Sequence, residues 1–420
     1  MLNQVQHDER VGLGNGTARI GWIDEFKGFV LLLVCLYHVE QSFPCAEMGM
    51  LHLSALRMSA FFFISGMLFS TRRFPNFKGY FIHKTKVLLV PYILLSLLFL
   101  ALDPVVYNFD LFPKAPRMMV MNIRPEIATV WDYIYWNIAK IFVAGKSSIG
   151  SGPLWFVFTL YSVSLMFYGV QKVANAFSQA RKGDPGSKPG MTSKAITAII
   201  AITSLAGGWL LYINHIRLPL GIERDLTVLF FFANGWLCKG ATQSFSGKNT
   251  LSSSDKNARG TKSSLSLIAA IISFCAYAYI EIPDPNFSIM NNDLGKDFRI
   301  FVASSVFGIA GLVSAFILFS RIPAPAPSRK SPVLAAIAII KGILRNISRN
   351  ALVILAVHWY ILLVMRLLFR DTFNKPGIAY TSIVIVATGV IAAIPLFRCK
   401  LYKLLGKERI SVRESLSIRE

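Results

Sequence analysis

The amino-acid sequence predicts an all-α polytopic membrane protein, with about ten transmembrane helices around a central polar cavity. Two observations support this prediction. Hydrophobic residues make up 54 % of the 420 residues and the mean hydropathy is +0.52, which is too apolar for a soluble domain of this size. Apolar runs of about 17–22 residues also recur along the chain, and this length crosses a bilayer as a helix.

Ten segments have the length and composition of a membrane span. Phe, Leu, Ile and Ala fill most of them. We therefore predict one membrane domain over residues 22–400, with cytoplasmic tails at 1–21 and 401–420. The predicted spans are 28–45, 51–70, 86–103, 153–174, 195–213, 222–240, 263–282, 299–320, 350–369 and 378–397.

The net charge of +22 is distributed as a topology signal. With the N-terminus inside, the inner segments hold 30 Lys and Arg residues and the outer connections hold 11. This bias is the positive-inside rule, and it predicts both termini in the cytoplasm and the protein in the cytoplasmic membrane. Anionic lipids are expected partners of the basic surfaces. Nucleic acid is not an expected partner.

Two segments outside the spans have helical patterns. Residues 131–145 are aromatic-rich and fit a re-entrant or interfacial helix on the outer side. Residues 333–347 fit an amphipathic helix on the inner surface. The stretches 181–190 and 243–264 are low in complexity and are predicted linkers. The five cysteines show no CxxC spacing, so neither a disulfide nor a metal site is expected.

A lysine and a histidine stand eleven residues apart in the first predicted helix. Eleven residues make about three helical turns, so Lys27 and His38 share one face, about 16 Å apart along the axis. Lys27 is expected where the helix enters the membrane and His38 near its middle. An imidazole inside a bilayer indicates function, although a histidine that packs against a neighbouring carbonyl group would give the same pattern.

Other polar residues fall on the second and ninth predicted spans. Arg57 lies on the second, and His358 and Arg366 lie on the ninth. A cavity shared with the first span would be electropositive and would suit a phosphorylated ligand from the cytoplasm. Arg57 could instead extend its side chain toward the outer interface. For Arg366, which lies near the outer end of its span, this second interpretation is favoured over a functional role.

Five short segments, in the correct order, resemble the acyltransferase-3 family of multipass membrane acyltransferases. The first carries that family's signature of Arg or Lys, ten residues and His. Two departures are Ala60, where the family often has Pro, and Ala351, where it has Ser. The segments are WIDEFKGFVLLLVCLYH (22–38), LRMSAFFFISGML (56–68), FIHKTKVLLVPYIL (81–94), GPLWFVFTLY (152–161) and SRNALVILAVH (348–358).

The resemblance implies transfer of an acyl group, usually acetyl, from cytoplasmic acyl-coenzyme A to a hydroxyl of a glycan or lipid-linked sugar. His38 would be the catalytic residue, as a general base or as an acyl carrier. No metal is implied. The expected donor-binding residues are Lys27, Asp24, Arg57, Lys84 and Lys86, and the expected cavity residues are Trp155 and His358.

Simpler interpretations remain for some of these residues. Lys84 and Lys86 could also be ordinary basic residues of a cytoplasmic loop, as the positive-inside rule predicts. Trp155 could simply pack among other apolar side chains. A different class of function also remains, since a transporter or flippase of sugar or lipid intermediates needs buried charge and a cavity as well. Such a transporter needs no histidine placed against a donor. The chain also shows no internal repeat, which weakens a transporter built from duplicated halves.

Overall fold

The computed structural model describes residues 21–109, 120–180, 192–246, 256–281, 287–322, 331–369 and 376–400. Within these ranges, positions 44, 46, 72, 73, 75, 121, 122, 124, 147 and 149–151 are not described. Both predicted tails, apart from Gly21, lie outside the described residues. So do the predicted linker 181–190 and the middle of the linker 243–264.

The described chain is built from helices joined by short turns. A π-helical turn, Thr85–Leu89, joins α3 to α4. 3₁₀ turns precede α2 at Met50–Leu53, α6 at Gly152–Leu154 and α8 at Pro219–Gly221. The helices are α1 Gly21–Ser42, α2 Ser54–Met67, α3 Phe77–Lys84, α4 Val90–Asn108, α5 Val130–Phe142, α6 Trp155–Ala180, α7 Ser193–Ile213, α8 Ile222–Ser246, α9 Lys256–Glu281, α10 Phe298–Arg321, α11 Pro332–Arg349, α12 Ala351–Leu368 and α13 Pro376–Lys400.

The prediction of an all-α, multi-pass membrane protein is confirmed. Seven helical segments of the described chain are long and apolar enough to cross a membrane. The other three predicted spans fall on α1, α8 and α13. Charged residues at the beginnings of α1 and α8 lower the hydropathy of those two helices. The total of ten spans and the central cavity stay predictions. The seven segments are Met50–Met67, Phe77–Val105, Gly152–Gln179, Ser193–Ile213, Ser264–Glu281, Phe298–Arg321 and Ala351–Leu368.

Helices α1 and α2 lie at the centre of the bundle. α1 contacts α2, α10, α11 and α12, and α2 also contacts α8 and α10. The span that contains α2 is 72 % buried inside the protein, whereas the spans of α7 and α9 are 28 % buried. The apolar residues of α7 and α9 therefore face outward, where a bilayer would cover them.

Glycines bring the central helices into backbone contact. A Cβ atom at Gly66 of α2 would overlap the carbonyl oxygen of Phe232, and one at Gly235 of α8 would overlap that of Phe63. In the same way, a Cβ atom at Gly28 of α1 would overlap the carbonyl oxygen of Leu344 in α11. Small residues commonly permit such close crossings of membrane helices.

Both segments predicted as helices outside the spans form helices. Thr129 and Asp132 make a reciprocal capping box at the beginning of α5, and Trp131 is 74 % exposed. α11 begins at Pro332, packs against α1 and leaves apolar side chains such as Val333 exposed. Their placement at the two membrane surfaces stays a prediction, and the exposed apolar side chains support it.

Candidate active site

One unbroken helix carries both Lys27 and His38, as their spacing predicts. α1 runs from Gly21 to Ser42, so Lys27 is its seventh residue and His38 its eighteenth of 22. The expectation that His38 lies near the middle of the helix is wrong. The helix includes the charged residues before position 28, and His38 consequently lies in its last quarter.

The imidazole of His38 contacts α12. Its ring centroid is 5.4 Å from that of His358 and 4.9 Å from that of Trp359, whose ring meets it edge-on. The Nδ1 atom of His38 lies 3.4 Å from the amide oxygen of Gln41. Because that oxygen only accepts hydrogen bonds, the Nδ1 atom donates and the Nε2 atom of the neutral ring carries a lone pair. His38 is half-buried, and no residue of the described structure bonds to this Nε2 atom.

His358 lies fully buried beside it. Its Nδ1 atom donates to the carbonyl oxygen of Ile354, one turn earlier in α12, at 2.5 Å. The Nε2 atom therefore carries the lone pair in this ring as well. Among the residues that the structure describes, this Nε2 atom has no hydrogen-bond partner. An unsatisfied buried acceptor carries a free-energy cost, and a donor supplied by a ligand or water would relieve it.

Arg57 joins this group from α2. Its guanidinium lies 3.9 Å from the ring centroid of Tyr37, the residue before His38, and donates to the carbonyl oxygen of Met50. The side chain of Glu40 accepts from the backbone nitrogen of Met50 at 2.8 Å. The first, second and ninth predicted spans therefore do bring His38, Arg57 and His358 together. Arg57 is 6 % exposed, so it does not extend into solvent.

Helix α11 packs against α1, and two of its side chains bond to residues near Lys27. Lys27, Asp24 and Glu25 are all buried within the described structure. The Oγ atom of Ser348 donates to Asp24 at 3.4 Å, and Arg345 donates to Glu25 at 2.9 Å through its Nε atom. Asp24 precedes Lys27 by three residues and so neighbours it on the helix surface. The donor-binding roles expected of Asp24 and Lys27 stay predictions.

The remaining predicted site residues lie on other elements. Lys84 is nearly buried, with its ammonium 5.4 Å from the ring centroid of Tyr80, and Lys86 is exposed on the π-helical turn. Trp155 is 6 % exposed, and its ring lies 5.5 Å from the guanidinium carbon of Arg224. Arg366 is half-buried near the end of α12. The roles assigned to these four predicted residues stay predictions.

Two residues near His38 were missed by the sequence reasoning. Trp359 supplies the ring that meets His38, and a Cβ atom at Gly152 would lie 2.6–2.7 Å from three atoms of that indole. Gly152 has a φ of +38°, which disfavours most side chains. In the Gly-Pro-Leu-Trp-Phe segment, the residue selected from the sequence is the tryptophan, Trp155. The glycine of that segment, Gly152, is the residue that contacts Trp359.

The arrangement suits proton transfer. Each of two adjacent imidazoles donates its Nδ1 proton to an oxygen acceptor, and within the described part of the chain neither Nε2 atom has a partner. A neutral imidazole with an available Nε2 atom is a general base near neutral pH and also a nucleophile.

Comparison with known proteins gives one match. A family model described as an acyltransferase domain matches residues 20–396, which is nearly the whole chain. No curated protein and no solved structure matches it.

Proposed function

We propose a specific reaction for this chain, which belongs to the acyltransferase-3 family and is a multi-pass membrane acyltransferase. It transfers an acyl group, specifically acetyl, from cytoplasmic acetyl-coenzyme A to a hydroxyl of a glycan or lipid-linked sugar. The observation that carries the proposal is the half-buried imidazole of His38, whose Nε2 atom has no bond to any residue that the structure describes. The family assignment favours this enzyme over the transporter or flippase considered above.

In the proposed reaction, the Nε2 atom of His38 removes the proton from the acceptor hydroxyl. The hydroxyl oxygen attacks the thioester carbonyl carbon, the carbon–sulfur bond breaks, and the coenzyme A thiolate takes the proton back from the imidazolium. The acceptor of the Nδ1 proton, Gln41, and the edge of Trp359 orient the ring. General-base catalysis of this kind contributes about 10²–10⁴-fold.

An acyl-histidine intermediate uses the same atoms. There the Nε2 atom of His38 attacks the thioester, and the acceptor hydroxyl attacks in a second step. Incubation with labelled acetyl-coenzyme A in the absence of acceptor distinguishes the two routes, since only the second leaves label on the peptide that contains His38.

Lys27 is proposed to bind the charged part of the donor. It lies about 16 Å from His38 along the helix axis, on the side where the positive-inside rule places the cytoplasm. Lys27 is buried in this structure, so binding of a donor phosphate requires its ammonium to become accessible.

The test replaces His38 by Ala and, as a control, the exposed His52 by Ala. Membranes with equal amounts of each protein are given labelled acetyl-coenzyme A and the surface polysaccharide fraction. His38→Ala should lower transfer by about 10²–10⁴-fold, and His52→Ala should leave it unchanged. A His38→Ala protein that acetylates at a near wild-type rate would refute the role of this residue.

Deletion of the chain separates the enzyme from the rival transporter. An enzyme of this type leaves the amount of polysaccharide intact and removes its acetyl groups. A flippase of a sugar intermediate would instead reduce the amount of polysaccharide.

A further inference from the structure

Four basic side chains gather where three turns meet, beside the turn that contacts Trp359. We name them the basic cluster: Lys140, Lys146, Arg217 and Arg224. The ammonium of Lys146 donates to the side-chain oxygen of Asn291 at 3.1 Å, and Arg217 donates to the backbone oxygen of the same residue. Arg224 donates to the carbonyl oxygen of Gly145 at 3.4 Å. These bonds hold Lys146, Arg217 and Arg224 in place, and the charge of Lys140 acts on Lys146.

The members of the cluster repel one another. Arg224 pairs with Asp225 at 3.4 Å, whereas the other three members make no ion pair with the residues that the structure describes. Glu223 favours the charged form of Lys146, but three cations oppose it. Burial, together with the charges of Lys140, Arg224 and Arg217, lowers the pKa of Lys146 to about 7. Cations held close together favour the binding of an anion, because the anion relieves their mutual repulsion.

Several hydrogen-bond donors of the cluster are unused. Arg224 is fully buried, and its Nη1 atom has no partner within the described chain. Lys146 and Arg217 each make one hydrogen bond to Asn291, although an ammonium has three donors and a guanidinium has five. A phosphate group presents several acceptor oxygens and is the ligand that such mixed Arg and Lys sites commonly recognise.

Exposed apolar side chains surround the cluster. They lie on the two turns and at the helix ends beside them, and each is 40–47 % exposed: Phe142, Val143, Ile216, Leu220 and Ile222. Cations beside exposed apolar groups fit a ligand that is charged at one end and hydrocarbon at the other, lying at the level of lipid head groups.

We propose that the basic cluster binds the phosphate of a polyprenyl-type lipid that carries the acceptor sugar, with the hydrocarbon chain against these apolar side chains. This assignment of the acceptor class rests on the proposed acyl transfer. Two contacts connect the cluster to the active site. The guanidinium of Arg224 lies 5.5 Å from the ring of Trp155, and Gly152, three residues earlier, contacts the Trp359 ring that meets His38.

The test measures binding in phosphatidylcholine nanodiscs without any donor, so that it does not depend on catalysis. The probes are a polyprenyl monophosphate, the polyprenol of the same length, and inorganic phosphate. The variants are Lys146→Gln/Arg217→Gln, the charge-preserving Lys146→Arg/Arg217→Lys, and the control Arg299→Gln. Arg299 is an exposed arginine that pairs with Asp297 outside the cluster.

The wild-type protein should bind the polyprenyl phosphate at least tenfold more tightly than either other probe. Lys146→Gln/Arg217→Gln should remove this preference, while the charge-preserving variant keeps most of it and Arg299→Gln keeps all of it. Equal binding of polyprenol, or undiminished binding by Lys146→Gln/Arg217→Gln, overturns the proposal. Competition by phosphatidylglycerol at equal strength also overturns it, because the cluster would then be a site for any lipid phosphate.

The binding site and the enzymatic function can fail separately. If the protein binds the polyprenyl phosphate but does not acetylate a polyprenyl-phosphate sugar, the binding site is supported and the proposed reaction on that acceptor is refuted. If Lys146→Gln/Arg217→Gln still acetylates the acceptor with the wild-type KM, the proposed enzymatic function is supported and the proposed binding site is refuted.

Discussion

The contact between Gly152 and Trp359 provides a sensitive test of how His38 is positioned. A Cβ atom at Gly152 would lie 2.6–2.7 Å from three indole atoms, whereas carbon atoms ordinarily approach to about 3.5–4.0 Å. The φ of +38° at Gly152 adds strain of about 1–2 kcal/mol for any residue with a Cβ atom. In Gly152→Ala, Trp359 must therefore shift by about 1 Å.

That shift should reach His38, because the two rings are in edge contact at 4.9 Å. A displacement of about 1 Å at a reacting group can lower the rate about 10²-fold. We expect Gly152→Ala to lower kcat for acetyl transfer by this factor, with little change in the KM for acetyl-coenzyme A. The control is Gly169→Ala in α6, where a Cβ atom would meet nothing within 4 Å.

Transfer is measured at equal membrane abundance of each protein. A rate for Gly152→Ala within threefold of wild type would refute the reasoning, as would an equal loss in Gly169→Ala. Trp359→Leu makes room for the new methyl group. The effect of Gly152→Ala should therefore be smaller in that background, since residues in contact show non-additive effects.

Three further predictions concern charge and topology. Lys27→Ala should raise the KM for acetyl-coenzyme A, and Lys27→Arg should preserve part of donor use; an unchanged KM in Lys27→Ala would end its proposed phosphate role. Amine-specific labelling, measured by mass spectrometry, should rise with pH, with a midpoint at about 7 for Lys146 and about 8 for Lys140. Burial and neighbouring positive charge disfavour the ammonium form of Lys146, and burial disfavours that of Lys140. Midpoints near the ordinary lysine pKa of about 10.4 would contradict this prediction. A reporter fused after residue 400 should be cytoplasmic and one near residue 115 external, and reporters on the same side would show that the count of ten spans is wrong.

The helices were predictable from sequence because apolar length is a strong signal, but the beginning of α1 was not. The predicted span began at residue 28, since the preceding charges are typical of a water-exposed flank. In the structure, Asp24 and Glu25 are buried within α1 because Ser348 and Arg345 bond to them from more than 300 residues away. This tertiary pairing leaves no local pattern, and it moves His38 from the expected middle of the helix to its last quarter.

Residue type identified part of the site. A histidine or arginine in an apolar run is conspicuous, so His38, Arg57 and His358 could be grouped before their contacts were known. Trp359 and Gly152 could not be found in this way, since the rotation of α12 and the approach of a turn decide what an indole contacts. Arg224 lies near the beginning of the predicted span 222–240 and was not singled out, because its full burial depends on how the turns around Gly145 and Leu220 fold over it.

The position of His38 bears on which group crosses the membrane. Lys27 lies in the first third of α1, surrounded by α11, and His38 lies in its last quarter against α12. The basic cluster is connected to His38 through Trp155, Gly152 and Trp359, and the charge distribution predicts that its turns lie outside. If the donor phosphate binds near Lys27 and the acceptor phosphate at the cluster, as we propose, the thioester and the hydroxyl would meet at His38. Only the acyl group would then pass from one side to the other, and neither coenzyme A nor the sugar would have to cross the bilayer.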